Sequence, residues 1–382
     1  MTANKAEGVG PLRTLGIRHF AIAMFAIAQP SWGQPPPGAF QTIERVAPGV
    51  WSIHQNQPFQ LQPVGNVEVI EQSRGLVLID GGASPGSANR IVQLIKSVSD
   101  KPVTAIAITH WHSDHSLGVG TILKTWPNAE VIATNATRGH ILGDPMAKLY
   151  PEGFPDMAKL KSSMDRIAGS LDVLRKRTAD STLPAPIHAG YASAFEEFTL
   201  YQKDMDGAFL PAKIDGFDTE RVLNDPIRPV DLRFLGNGNT DGDLIGWLPR
   251  QRILATGDLV VSPIPYGFDS YGASWQSVLD KLIALHARVI IPGHGLPMRD
   301  DSYLKVLRDM LSDLRARMAI IGPKEDLEQA KKDMAPAFAQ YQRRFAGDDP
   351  WRQKWFVQLW QDPIISSLWR ERRGLPIEQG GG

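Results

Sequence analysis

Residues 103–109, Val-Thr-Ala-Ile-Ala-Ile-Thr, form an uncharged apolar run that ends directly on His110-Trp-His112-Ser-Asp114-His115. A run of this kind, rich in β-branched residues, reads as a strand buried on both faces. Three of the chain's nine histidines then fall within six residues. They sit at the carboxyl end of the strand, where open α/β sheets carry their sites. His110 and His112 are two apart, so an extended backbone points both to one side. Asp114 and His115 follow after the chain turns. The spacing can build two adjacent metal sites, one on His110/His112 and one on Asp114/His115, and such ligands suit Zn²⁺, Mn²⁺ or Fe²⁺. The chain has no cysteine. That removes disulfides, thiolate nucleophiles, cysteine-type zinc sites and iron–sulfur clusters, and leaves metal binding to His, Asp, Glu or Asn.

Around this strand the pattern is a mixed α/β sheet. Strands are expected at 49–55, 64–72 and 75–80, the last ending in Asp80-Gly-Gly82. A helix over 86–98 buries Ile91, Leu94, Ile95 and Val98. Strand 103–109, a helix at 116–126 and strand 129–134 follow. Segment 140–228 breaks the rhythm. Met157, Leu160, Met164, Ile167, Leu171 and Leu174 recur at spacings of three and four, which predicts an amphipathic helix over 156–178. A second helix is expected at 191–203. This insertion is either a lid or wall for an apolar substrate, or a packed or dimer-forming face. Strand 230–235, a hairpin of 244–249 with 252–257, a helix at 274–286 and strand 288–292 restore the alternation. From 301 to 372 the chain reads as helical, broken near Gly322-Pro323 and Gly347–Pro350, with Trp351, Trp355, Trp360 and Trp369 as anchors to the body.

The first 33 residues read as an export signal. Arg13, Arg18 and His19 precede an apolar run from Phe20 to Ala28, and small residues at Ser31 and Gly33 suit cleavage before Gln34. The run is too short to span a bilayer, which takes about 20 residues, but it fits a signal h-region. The expected organisation is a signal peptide at 1–33, a catalytic domain at 34–300 with its insertion at 140–228, and a helical extension at 301–382. The mature protein is expected to be periplasmic or secreted, without stable membrane insertion. Lys plus Arg and Asp plus Glu are both 41, a formal net charge of zero. That disfavours nucleic-acid binding, which relies on a basic excess, and points to a small-molecule substrate. The oligomeric state is left open, a dimer included.

The His110–His115 cluster resembles the His-x-His-x-Asp-His motif of the metallo-β-lactamase superfamily. Asp80 before Gly81-Gly82 looks like that family's upstream aspartate. Leu254-Ala-Thr-Gly-Asp258 resembles the strand that ends in its bridging aspartate, and Ile291-Pro-Gly-His294-Gly resembles its last ligand element. The resemblance runs over roughly residues 45–300. It implies an α/β fold, the four-layer αβ/βα sandwich, with a helical insertion and a helical carboxyl-terminal extension. It also implies a ligand set: His110 and His112 on metal one, Asp114, His115 and His294 on metal two, and Asp258 between them. One element departs. Where the family carries Gly-x-x-His-Thr-x-Gly, this chain has Gly236-Asn-Gly-Asn239-Thr240-Asp-Gly242, so Asn239 takes the histidine's place on metal one. An amide oxygen is a weaker ligand than imidazole. His140 and His188 from the insertion are the candidates to substitute for it.

The resemblance implies metal-dependent hydrolysis, with one or two zinc ions (manganese or iron being alternatives) generating hydroxide and polarising a carbonyl. Asp114 can orient the nucleophile and take its proton. Tyr266 or Tyr271 can donate to the developing oxyanion. The bond cleaved is expected to be an ester, lactone, thioester or amide, a β-lactam included. An alkylsulfatase is disfavoured, because those enzymes carry acidic residues in the middle motif where this chain has Asn239. The competing class is a non-catalytic binding protein on a degraded hydrolase scaffold, which stoichiometric metal in the purified protein would argue against.

Overall fold

The computed structural model describes residues 40–377, apart from 57–58, 143–160, 210, 212 and 323. The expected signal peptide, Met157 and Leu160 therefore lie outside the described residues. Two sheets form the centre. The first has seven strands in sequence order: β1 (Gln41–Ala47), β2 (Val50–Gln55), β3 (Val67–Glu71), β4 (Leu76–Ile79), β5 (Val103–Ala107), β6 (Glu130–Thr134) and β7 (Asp215–Phe217). Pairing is antiparallel from β1 to β4 and parallel from β4 to β7. The second has five, in the order β12 (Val289–Ile291), β11 (Ile253–Ala255), β10 (Leu244–Leu248), β9 (Val230–Phe234) and β8 (Glu220–Leu223).

Side-chain alternation along the strands explains the layering. On β4, Val77 and Ile79 point between the sheets and pack with Leu232, Leu244, Ala255 and Ile291 of the second sheet. Leu76 and Leu78 point the other way, onto α1 (Pro85–Val98) through Ile91, Val92 and Ile95. The second sheet shows the same division. Ile245, Leu254 and Ile290 face outward onto α7 (Gly272–Ala284) and α8 (Ser302–Ile320) through Val278, Leu279, Leu307 and Leu311. Helix, sheet, sheet and helix give the four layers of the sandwich, as expected.

Helices α2 (Ser113–Ser116), α3 (Val119–Thr125) and α4 (Asn135–Leu142) complete the first half. The elaboration then supplies α5 (Lys161–Thr178) and α6 (Ala185–Asp204). The predicted stripe on α5 faces inward: Ile167 and Leu171 are buried in the core outside the first sheet, and Leu174 packs on Tyr191 and Ala194 of α6. The insertion is shorter than the sequence pattern suggests. Residues 215–223 are two edge strands, β7 pairing with β6 and β8 pairing with β9. They are only three and four residues long and half exposed, too short for an alternating pattern to register.

The helices after β12 continue as α9 (Leu327–Met334), α10 (Ala339–Ala346), α11 (Pro350–Phe356) and α12 (Asp362–Arg372), with a π-helical turn at Val357–Gln361 between the last two. Phe338, Phe356, Trp360, Ile364 and Ile365 are buried in one cluster with Trp275 and Leu311. Trp351 meets Tyr191 of α6 edge-on, with ring centroids 5.0 Å apart. The segment is thus packed into the outer layer of the second sheet. Because Leu311 is fully buried, Leu311→Ala should cost about 2–5 kcal/mol of stability in denaturant titration. A loss below about 1 kcal/mol would mean α8 is an appendage rather than core.

Candidate metal centre

Every residue of the cluster leaves the carboxyl end of a strand. Asp80 follows β4, His110–His115 follow β5, Asp258 follows β11 in a 3₁₀ turn (Gly257–Leu259), and His294 follows β12. The strand ends therefore converge on one edge of the two sheets. Asp114, His115, Asp258 and His294 each bring one ligand atom within 4.8 Å of the others, as do His110, His112 and Asp258. Asp258 belongs to both groups and stands between them. Its Oδ1 lies 3.2 Å from His115 Nε2 and 3.4 Å from His294 Nε2, and its Oδ2 lies 3.7 Å from His110 Nε2. His294 Nε2 is also 3.0 Å from Asp114 Oδ2. Gly293 makes this approach physically accessible: a Cβ there would collide with the Asp258 carboxylate.

Asp80 orients the cluster. Its φ of 65° puts it in the left-handed region, which Asp tolerates better than most residues. Oδ1 accepts the Thr109 N–H at 2.7 Å, and Oδ2 accepts the Thr109 hydroxyl at 2.8 Å and the His115 Nδ1–H at 2.7 Å. The Thr109 hydroxyl proton is thereby committed, so its oxygen is left to accept from His110 Nδ1, 3.0 Å away. One carboxylate thus fixes the tautomer of both histidines and leaves each Nε2 lone pair facing the cluster. The sequence pointed to Asp80; its reach to His110 through Thr109 had no sequence signal.

The donor set fits metal. His110 Nε2 and His112 Nδ1 are 3.1 Å apart, and so are His115 Nε2 and His294 Nε2. A tetrahedron with metal–nitrogen bonds of about 2.0–2.1 Å has an edge of about 3.3 Å. Buried Asp258 Oδ1 has no hydrogen-bond donor among the described residues. The proton affinities say the same. Burial lowers the pKa of His110 and of His112, keeping both neutral. Burial also works against charge on His115 and His294. For both, however, the carboxylates, Asp258 foremost, outweigh it; His115 is held well above its usual range and His294 is raised to about 9. Asp258 is held low against its burial by His294 and His115, and Asp114 by the same two histidines. The pocket therefore favours positive charge beside its carboxylates.

Asn239 is fully buried. Its amide nitrogen donates to the Tyr266 carbonyl at 3.2 Å, and its Oδ1 has no partner among the described residues. The oxygen is thus the one atom of the amide left to act as a ligand. His140 and His188 belong to neither ligand group among the described residues. His140 Nε2 pairs with Asp241 at 2.8 Å, and His188 Nε2 donates to the Thr178 carbonyl at 2.7 Å.

A cavity of about 360 Å³ opens over the cluster. Asp114, His112 and Asp258 line one part, and Leu61, Trp111, Ile167, Phe198, Phe268 and Leu359 supply apolar wall. The insertion and the carboxyl-terminal helices both reach it, through Ile167 and Phe198 in one case and Leu359 in the other. Of the two tyrosines, the structure brings Tyr266 to the cavity, its ring 5.4 Å from His294. Tyr271 is placed elsewhere, as the residue preceding α7, with its N–H on the Gly238 carbonyl. Burial, then Asp258 and Asp114, keep the Tyr266 hydroxyl protonated. Tyr201 on α6 also lines the cavity, bonded to the Ser113 side chain and protonated because it is buried. Helical periodicity assigns Tyr201 a face but no partner, so sequence reading missed it. Glu197, one turn earlier, accepts the N–H groups of Leu61 and Gln62 at 2.8 and 3.2 Å and fixes that wall.

Two outcomes follow from these contacts. Asp80→Asn keeps the left-handed backbone but loses one acceptor oxygen. It should weaken metal retention about 10–100-fold in chelator competition; unchanged retention would show that Asp80 does not orient the ligands. Burial raises the Glu197 pKa, so its charged form is disfavoured in the fold. Stability tied to it is full below the unfolded pKa and falls as pH rises through the folded one. Glu197→Gln should therefore gain on the wild type over the range above the ordinary glutamate pKa, whereas Glu197→Ala should cost about 1–3 kcal/mol throughout. Urea midpoints across that range check both.

Comparison with known proteins agrees with this geometry. A linear primary-alkylsulfatase from Pseudomonas sp. (strain ATCC 19151) is 23% identical over 267 residues, which are 64% of this chain and 44% of that protein. A metallo-beta-lactamase type 2 from Bacillus sp. (strain 170) is 21% identical over 261 residues, 66% of this chain and 76% of that protein. Among solved structures, a stereoselective inverting sec-alkylsulfatase from Pseudomonas sp. superposes with a TM-score of 0.57 at 16% identity. It covers 89% of this chain, a share that reaches into the helices after β12, and 51% of its own length. The chain thus spans about half the length of the alkylsulfatases it matches. The family model of the metallo-beta-lactamase superfamily matches residues 63–155 and 167–294. With its sandwich fold and its His/Asp cluster at the strand ends, the chain belongs to the metallo-beta-lactamase superfamily.

Proposed function

We propose that the protein is a zinc-dependent hydrolase cleaving an ester, thioester, lactone or amide bond in a substrate with an apolar body. The observation that carries this reading is the convergence of six His and Asp side chains at a cavity walled by Trp111, Ile167, Phe198, Phe268 and Leu359. His110, His112 and Asp258, with Asn239 Oδ1, would hold one ion; Asp114, His115, His294 and Asp258 would hold the other. Such ions supply Lewis acidity and lower the pKa of water. The chain's own groups do the rest. Asp114, which lines the cavity, would take a proton from the nucleophile and return it to the leaving group. The Tyr266 hydroxyl donates to the oxygen on which charge develops. The apolar walls exclude bulk water, which strengthens both interactions.

A second reading, hydrolysis of a sulfate ester, is favoured by the match to two alkylsulfatases. A panel of 4-nitrophenyl butyrate, a thioester, a lactone, a cephalosporin and 4-nitrophenyl sulfate separates the readings. Chelation should abolish turnover and zinc should restore it; full activity in metal-free protein would overturn the proposal. The uneven donor sets should also give one tight and one loose metal equivalent in titration. Asn239→His should tighten the loose one, since imidazole is the better zinc ligand. Two equally tight equivalents, unchanged by the substitution, would show that Asn239 does not complete a site.

A further inference from the structure

We infer that Arg166, on the insertion helix α5, receives a negative charge carried by the substrate away from the bond that is cleaved. The inference rests on the hydrolase reading above and narrows its substrate class to anionic esters. Arg166 lines the same cavity as the metal ligands Asp114, His112 and Asp258, and it is the one Lys or Arg among the lining residues. It makes no ion pair or hydrogen bond among the described residues, although most arginines of this protein are committed to carboxylates or carbonyls. Arg90, Arg221, Arg233 and Arg308, for example, each meet an acid.

The surroundings form a polar corner in an otherwise apolar wall. Ser170 lies one turn along α5 and lines the cavity with Arg166. Tyr201 comes from α6, and its hydroxyl feels the Arg166 charge. Ile167, Phe198 and Leu61 are apolar members of the same wall. A guanidinium beside apolar surface is weakly hydrated and offers a planar fork of donors matched to carboxylate or sulfonate. The acids of the cavity, Asp114 and Asp258, belong to the metal cluster, so they are not free to neutralise Arg166. The complement is a substrate whose scissile carbonyl lies at the cluster while its apolar chain ends in an anion at Arg166.

The test compares 4-nitrophenyl butyrate with the 4-nitrophenyl hemiester of glutaric acid, which differs by a terminal carboxylate. The metal-loaded wild type should prefer the hemiester in kcat/KM. Arg166→Gln should raise KM for the hemiester about tenfold or more, the worth of one charge-assisted contact, and leave the butyrate unchanged. Arg166→Lys should restore part of the loss. Equal effects on both esters, or none on either, overturn the inference while leaving the hydrolase reading intact. A loss confined to 4-nitrophenyl sulfate also overturns it, because Arg166 would then read the reacting group itself. Calorimetric titration of the metal-loaded protein with hexanesulfonate gives a readout independent of turnover. Binding weakened about tenfold in Arg166→Gln supports the inference, and unchanged binding overturns it.

Discussion

Asp80 carries three hydrogen bonds in the dry interior, to the Thr109 N–H, the Thr109 hydroxyl and His115 Nδ1. A buried carboxylate is costly unless its lone pairs are met, and meeting them determines how two of the three histidines of the first motif, His110 and His115, present themselves. His115 is bound directly. His110 is bound through Thr109, whose hydroxyl can give only one proton. The two subsites consequently depend on one side chain that belongs to neither group. Its position follows from β4, where the Val77 and Ile79 side chains are locked between the sheets and bring the next residue to the strand end. Core packing and ligand orientation are therefore the same constraint seen at successive residues.

The rest of the site is assembled by elements with no ligand of their own. The strand ends supply a charged floor, which left open would be flooded by water. The insertion closes one side with α5 and α6, and Glu197 ties the 61–62 backbone to α6. The carboxyl-terminal helices supply Leu359 from the π-helical turn, where the Leu359 carbonyl accepts the Gly267 N–H, next to Tyr266, at 2.8 Å. A π-turn widens a helix by one residue and often occurs at functional sites. Here it coincides with the point where the extension meets the tyrosine loop. The distinction between catalytic body and helical extension is thus one of sequence order more than of the site.

How much of this is legible in sequence depends on the range of the determining interaction. The histidine motif was legible because strand geometry places adjacent residues predictably, whereas Asp258 and His294 were legible only through their resemblance to the family's later motifs. The core strands were legible because they are buried on both faces and read as unbroken apolar runs. The edge strands β7 and β8 were absorbed into the insertion because three or four half-exposed residues carry no periodicity. Arg166, Tyr201, Glu197 and Leu359 were not assigned to the site, since each reaches it from a helix whose partner is set by tertiary packing. Tyr266 and Tyr271 could not be told apart either: only four residues, Gly267 to Ser270, separate a cavity residue from a helix cap.

The two subsites differ in charge as well as in ligand type. The first offers His110 and His112, both held neutral by burial, and a share of Asp258. The second offers Asp114 and Asp258 beside His115 and His294, whose proton affinities are raised by those carboxylates. A dication held at the second subsite would meet two carboxylates beside its two imidazoles. A dication held at the first would meet two neutral nitrogens and only a shared carboxylate. With the second filled, Asp258 would be partly neutralised and the first subsite would feel a neighbouring positive charge. Asn239, standing where the family carries a histidine, would add to that asymmetry without changing the net charge. As a ligand it would weaken a single bond, at the subsite where electrostatic attraction is already the smaller contribution.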